Sequence, residues 1–247
     1  MLNSGYLVTI AISTFGERLN DAMNMVQHLE QNEALEVLIV HQMSDELIIK
    51  NIDLPSRVRY FSSNTLGAAA SRNVALSEAR GEFIWFMDDD VTLAANAVAA
   101  VFEVVHDVKF DVAILNLKFT NDFSSFSLNI NEIESSICDL DYYKISSIGT
   151  PQIIVRSTFG RTALFPENYG AGTSMGIGDE PIYLSRLLKK DCVAIEVALD
   201  FMKHPVISSG DLFKNKIKLR IQVYLEIYGF RGFLIFLIKR MLNALNR

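Results

Sequence analysis

Residues 82–90 read Glu82-Phe83-Ile84-Trp85-Phe86-Met87-Asp88-Asp89-Asp90, an apolar run that ends on three carboxylates. A run this short and continuous predicts a strand over Glu82–Met87, buried on both faces as in a parallel sheet covered by helices. The flanks agree. Upstream, Leu66–Ala79 is alanine-rich and reads as a helix closed by Gly81, and Arg57–Phe61 reads as a strand that stops before Asn64. Further back lie a second buried strand, Leu35–Val40, and a helical stretch, Glu17–Glu30, with Leu19, Met23, Val26 and Leu29 at helical spacing. Tyr6–Ser13 is the first strand. Downstream, Ala94–His106 reads as a helix and Asp111–Leu117 as a strand. This alternation predicts an α/β fold with a mostly parallel sheet flanked by helices. In such sheets ligands bind beyond the carboxyl ends of the strands, which directs attention to Ser13–Glu17, His41–Asp45, Ser62–Gly67 and Asp88–Asp90.

The rest of the chain is less regular. Thr120–Asp141 is polar with alternating apolar positions, and Ser157–Gly178 is rich in glycine and aromatics, which reads as a long functional loop. Asp179–Lys190 looks helical and Val193–Val197 looks like a strand. The length of 247 residues suits one large domain over 1–210, followed by a tail over 211–247. Half of the residues are apolar, enough for a full core and too many for disorder. Cys138 and Cys192 lack metal-type spacing and read as reduced thiols of a cytoplasmic protein. Met1–Ile12 lacks the basic start and apolar stretch of a secretory signal.

Charge is unevenly placed. Lys214–Arg247 holds eight basic residues and one acid, Glu226, a sum of +7; with −6 overall, the remainder carries −13. An acidic body argues against nucleic-acid binding. The tail alternates basic and apolar residues. Ile217, Ile221, Tyr224, Leu225 and Tyr228 can share one helical face, and Phe230–Leu245 repeats the pattern. Such amphipathic helices lie in a membrane interface, or they pack on the body or on a second subunit. The uncharged run Gly232–Ile238 is far shorter than the roughly 20 residues a membrane span needs.

The triplet invites chemistry. Strand side chains alternate faces, so Asp88 and Asp90 can point the same way, and adjacent like charges call for compensation. A divalent cation supplies it, since Mg²⁺ and Mn²⁺ prefer oxygen ligands and bridge carboxylates to phosphates. A solvated acidic turn capping the next helix is the alternative.

These residues resemble the nucleotide-sugar glycosyltransferases of family 2, of GT-A (Rossmann-like) fold and of the bacterial surface-polysaccharide type. Their Asp-x-Asp-like triplet follows the fourth strand. The resemblance implies Asp90 as metal ligand and Asp88, with Asp89 beside it, on the nucleotide side. Ser13-Thr14-Phe15-Gly16 stands where the family turns toward the base, and Glu17 where an acid contacts the ribose. Asn64-Thr65-Leu66-Gly67-Ala68-Ala69-Ala70-Ser71-Arg72-Asn73 is similar to the family's small-residue turn followed by Arg-Asn. Gly67 there allows close approach to a helix start that favours phosphate, and Arg72 can add a charge-assisted bond or lie on a solvated face. Gly178-Asp179-Glu180 resembles the family's catalytic acid pair. Glu180 or Asp179 is then the general base that takes the acceptor hydroxyl's proton, although helix capping by Asp179 fits as well. His204 stands where several members complete the metal site. His41 occupies a position where the family often has an acid. The Gln-x-x-Arg-Trp motif of processive synthases is absent after the acid pair, where this chain has no tryptophan.

The resemblance implies a metal-dependent (Mg²⁺ or Mn²⁺), non-processive, inverting transfer from a nucleotide-diphosphate sugar, UDP-linked, to a glycan or lipid-linked glycan acceptor. The setting would be cytoplasmic and peripheral on the inner face of the membrane. Two rivals remain open. A sugar-phosphate nucleotidyltransferase needs a glycine- and Lys/Arg-rich signature after the first strand, which Gly16-Glu17-Arg18 matches thinly. A non-catalytic membrane-associated binding protein would survive loss of the acids.

Overall fold

The computed structural model describes residues 5–43, 54–138, 140, 142–206 and 216–245. Ser44 and Asp45, at the end of one candidate loop, lie outside the described residues, as does the expected boundary between 210 and 211. The chain opens with β1 (Val8–Phe15), α1 (Leu19–His28), β2 (Leu35–Gln42), β3 (Val58–Ser63), α2 (Ala68–Glu78) and β4 (Phe83–Asp88). These pair in parallel in the order β3-β2-β1-β4. β2 is buried at every position. β5 (Thr92–Leu93), α3 (Ala97–Asp107) and β6 (Val112–Phe119) follow, then β7 (Ser135–Ile137) and a four-residue α4 (Tyr142–Ile145).

The sequence reading leaves 142–156 unassigned, and a strand is found there. β8 (Ile153–Arg156) runs antiparallel between β4 and β6. Four residues are too few to show a periodicity, and this strand exists because both its neighbours offer a ladder. It is anchored by Trp85, whose indole N–H donates to the Pro151 carbonyl at 2.7 Å. After α5 (Ser157–Gly160), a loop leads to α6 (Asp179–Leu188) and β9 (Ala194–His204). β9 is longer than the expected Val193–Val197. It runs parallel to β6 as far as His204, with register shifts beside Leu115 and Asn116, and pairs antiparallel with β5 at Met202 and Lys203.

Alternate strand residues feed two cores, as the period of two requires. Ile10, Ile12, Trp85 and Met87 pack with α1 and α3, while Ala11, Ile84 and Phe86 pack with α2 and α6. α7 (Lys216–Tyr228) and α8 (Phe230–Leu245) are joined by Gly229 in the left-handed region, at φ 61°. Val223, Tyr224 and Ile227 of α7 and Phe236 of α8 join the second core. One face of the tail is therefore packed on the body. No helix among the described residues is long and apolar enough to cross a membrane.

Candidate active site

β1, β2, β4, β6 and β9 end on one side of the sheet, where β8 begins. They border a cleft of about 770 Å³. Asp90 and Glu180, ninety positions apart, both line it, as do Ser13, Thr14, Phe15 and Gly67.

The three carboxylates face three environments. Asp88 meets Arg72 Nη2 at 3.1 Å. Asp89 is buried, accepts a 2.6 Å hydrogen bond from Thr14 Oγ1 and pairs with Arg18. Burial pushes its carboxyl up to about 6, with Thr14 and Arg18 offsetting only part of that. It therefore serves to hold Arg18 and β1. Asp90 lies 3.1 Å from Arg18 Nη2 and, through Oδ1, 3.5 Å from His204 Nε2.

His204 is well placed for a metal. Its Nδ1–H donates to the Pro205 carbonyl at 2.8 Å, which leaves the Nε2 lone pair facing Asp90. Asp88, Asp90 and His204 offer ligand atoms all within 4.8 Å of one another. Two carboxylates and one imidazole suit Mg²⁺ or Mn²⁺, so the residues present fit the cation.

Arg72 organises the other half. It is buried on α2 and pairs with Asp179, with Glu180 at 3.4 Å and with Asp88. Burial opposes its charge, but Asp179, Asp88 and Glu180 together hold the guanidinium firmly protonated. The sequence reading offers Arg72 to a phosphate or to solvent. In the fold it is enclosed by carboxylates, and its Nε is buried without a hydrogen-bond partner among the described residues. The start of α2 is likewise engaged: Gly67 N–H donates to Gln42 Oε1 at 2.8 Å and Ala68 N–H to the Ala171 carbonyl at 2.9 Å.

The two acids of α6 differ. Burial and the adjacent Glu180 charge drive Asp179 well above the usual carboxylate range. Burial pushes Glu180 up too, but Arg72, a hydrogen bond from Asp179 and one from Thr150 Oγ1 at 2.5 Å outweigh it and hold Glu180 low. Arg72 lies against both acids, and they are displaced in opposite directions, Asp179 upward and Glu180 downward. Gly170 makes room for this arrangement. Its φ is 89°, and a Cβ there would strike the Asp179 carboxyl.

Two candidates stay outside the cleft. Glu17 is exposed, because β1 runs on to Phe15 and the following turn brings Arg18 to the triplet instead. Asn64 is exposed in the link to Gly67. His41 is buried at the end of β2 between Tyr60 Oη and the Gly16 carbonyl, each at 2.8 Å, and burial lowers its pKa despite the Gly16 hydrogen bond. The sequence reading misses Arg18, Gln42 and Thr150, and also Arg220 and Val223 of α7, which line the cleft. Polar groups flanking strand ends were the available signal for the first three; only the packing of α7 on α6 reveals the others.

The chain belongs to glycosyl transferase family 2, whose sequence pattern matches residues 9–160. It is 22% identical over 174 residues to an uncharacterized glycosyltransferase of Rickettsia felis, covering 67% of this chain and 28% of that protein. A counterpart in Rickettsia bellii is 24% identical over 166 residues, covering 65% and 23%. The chain thus spans about a quarter of the length of these relatives. Among solved structures it resembles S. aureus TarS 1–349 in complex with UDP-GlcNAc, with a TM-score of 0.62 at 14% identity over 89% of this chain and 66% of that one. A mycobacterial protein matches with a TM-score of 0.54 at 12% identity, over 92% and 74%. The fold is GT-A: a mostly parallel sheet flanked by helices.

Proposed function

We propose that the chain transfers a sugar from a nucleotide-diphosphate sugar to an acceptor hydroxyl, with inversion, using Glu180 as general base. The observation that carries this reading is the shared cleft. Asp90 and His204 stand on one wall, the ionised Glu180 on the other, and Arg72 touches both groups through Asp88 and the acid pair. Asp88, Asp90 and His204 would hold Mg²⁺ or Mn²⁺, which when bound supplies positive charge to the leaving diphosphate.

The remaining work falls to the chain itself. Ser13, Thr14 and Phe15 border the donor side of the cleft. Thr150 and Arg72 fix Glu180, so that its free oxygen is directed at an acceptor hydroxyl and takes the proton as the hydroxyl attacks. Asp179, paired with Arg72 and hydrogen-bonded to Glu180, orients it. The UDP-GlcNAc complex of TarS favours a UDP-linked donor here. A glycan acceptor of a surface polysaccharide, extended by one sugar, fits the family and the absence of a Gln-x-x-Arg-Trp motif.

The test is nucleotide release from a panel of UDP- and GDP-sugars, with and without Mn²⁺. Release that needs both the cation and Glu180 supports the reading. Transfer of a nucleotidyl group with pyrophosphate release would reject it in favour of a nucleotidyltransferase. Nucleotide binding without turnover for any donor would favour a binding protein.

A further inference from the structure

The large apolar side chains exposed on the surface are concentrated on the tail. In α8, Phe230 (75% exposed), Leu234, Leu237, Ile238, Met241 (65%) and Leu242 are all open to solvent. At 100° per residue they fall on one stripe along the helix. Gly232 and Phe236, on the opposite side, are buried against α7, where a Cβ on Gly232 would strike the Tyr224 carbonyl. α7 continues the open surface with Ile217, Leu225 and Tyr228. The apolar residues of the tail thus divide into a packed set and a larger exposed set. A continuous exposed stripe of this kind marks an interaction surface.

Charge identifies the occupant. α8 has no acid in its first turn, and Glu226, the one acid of Lys214–Arg247, is turned to Arg186 of the body at 3.6 Å. Lys218 and Arg231 are exposed, and neither pairs with a carboxylate among the described residues; Arg220 lines the cleft instead. A twofold contact of this stripe with a second copy would set Lys214–Arg247, at +7, against the same segment of the other copy. An anionic lipid surface meets the cations with opposite charge, takes the apolar stripe into its acyl boundary, and repels the −13 remainder of the chain. We infer that α7 and α8 form a docking face for an anionic bilayer, with α8 lying in the interface plane.

The same helix pair reaches the catalytic cleft. Val223 of α7 presses on Gly178, the residue that starts α6, and no Cβ would fit between them. Arg220, Val223 and Tyr224 form part of the cleft wall. A bilayer beneath α7 and α8 therefore lies beside the side of the cleft that Glu180 occupies. This deepens the transferase reading, on which it rests only for the class of acceptor: a lipid-linked glycan whose head group rises from the bilayer past α7.

The docking face is tested without turnover, by sedimenting the full chain with vesicles of phosphatidylcholine alone or mixed with phosphatidylglycerol. Each basic residue at such a surface strengthens binding about five-fold, so Lys218 and Arg231 give a preference for the anionic vesicles of about twenty-five-fold, weakened by salt. The combined variant Leu234→Glu, Ile238→Glu and Met241→Glu changes exposed positions only. It should lose vesicle binding while keeping the wild-type thermal midpoint and the wild-type nucleotide release. Three results would overturn the inference: no sedimentation of the wild type with anionic vesicles, unchanged sedimentation of the variant, or a wild-type dimer that the variant dissolves without any vesicle binding. If vesicle binding holds while no donor is turned over, the docking face stands and the transferase reading falls.

Discussion

Replacing Arg72 by methionine removes the cation that stands against Asp88, Asp179 and Glu180 together while keeping much of the side-chain volume. The three carboxyl groups are then left in a partly buried cluster. Breaking a buried ion pair by deleting one partner costs about 3–5 kcal/mol. For a chain of this size each kcal/mol shifts the thermal midpoint by roughly 2–4 °C, so the midpoint should fall by roughly 6–20 °C at neutral pH. The pH dependence carries the sharper test. In the wild type Glu180 is held low, so its contribution to stability is present above its unfolded pKa and is lost as pH falls through its lower folded value. Without Arg72, only the hydrogen bonds oppose burial, and Glu180 rises from its wild-type value. The folded variant then binds protons more tightly than the folded wild type, and its stability deficit shrinks as pH is lowered from 8 to 5. Urea unfolding at the two pH values, read from the fluorescence of Trp85, the single and fully buried tryptophan, measures this directly. A deficit equal at both pH values would show that Arg72 acts through packing against Phe165 and not through charge. The same variant should move the acid limb of nucleotide release to higher pH.

Glu180→Gln should lower turnover by about 10²–10⁴-fold while leaving nucleotide affinity within a few-fold, as isothermal titration can verify. A parallel loss of affinity would count against a role as base. Asp90→Asn combined with His204→Ala should abolish the tightening of nucleotide binding by Mn²⁺. In the wild type, nucleotide and Mn²⁺ should raise each other's affinity by the same factor, and equal affinities with and without the cation would remove His204 from the metal set. Gly170→Ala places a Cβ against the Asp179 carboxyl at a φ of 89°. Strain of about 1–3 kcal/mol and a displaced acid pair should lower both the thermal midpoint and turnover, and wild-type behaviour would show that the loop rearranges freely.

The parallel half of the sheet was legible because each of its strands is a short apolar run between signals for a helix or a turn. Phe83–Met87 and Leu35–Val40 carry that information locally. β8 was not legible, because four residues between two neighbouring strands take their conformation from those neighbours. Asp88, Asp90 and Glu180 were legible as carboxylates after a strand and at a helix start. Arg72 was noticed, but its role was not, because a guanidinium in an alanine-rich helix looks alike whether it meets solvent or three acids. Glu17 is exposed while its neighbour Arg18 pairs with Asp89, a difference of one residue that a single turn decides. The tail's periodicity was visible in the sequence. Which of its faces packs on the body depends on Gly178 and Gly232, which carry no side chain and permit the closest approach.

The charge balance of the cleft explains why these groups stand together. Asp88, Asp89, Asp90, Asp179 and Glu180 face two guanidinium groups, Arg18 and Arg72. Five carboxyl groups thus stand against two guanidinium groups, an excess of acid in the cleft. A diphosphate brought into this field would be repelled, since each donor-side carboxylate already has its counter-charge committed to a neighbour. A divalent cation held by Asp88, Asp90 and His204 would remove that deficit. It does so without drawing Arg72 away from Glu180, so the acid pair keeps the charge that holds Glu180 ionised. On this proposal the two arginines preserve the shape and ionisation of the empty cleft, and the cation makes it acceptable to the donor. The division assigns separate work to residues that a charge count alone would treat as interchangeable.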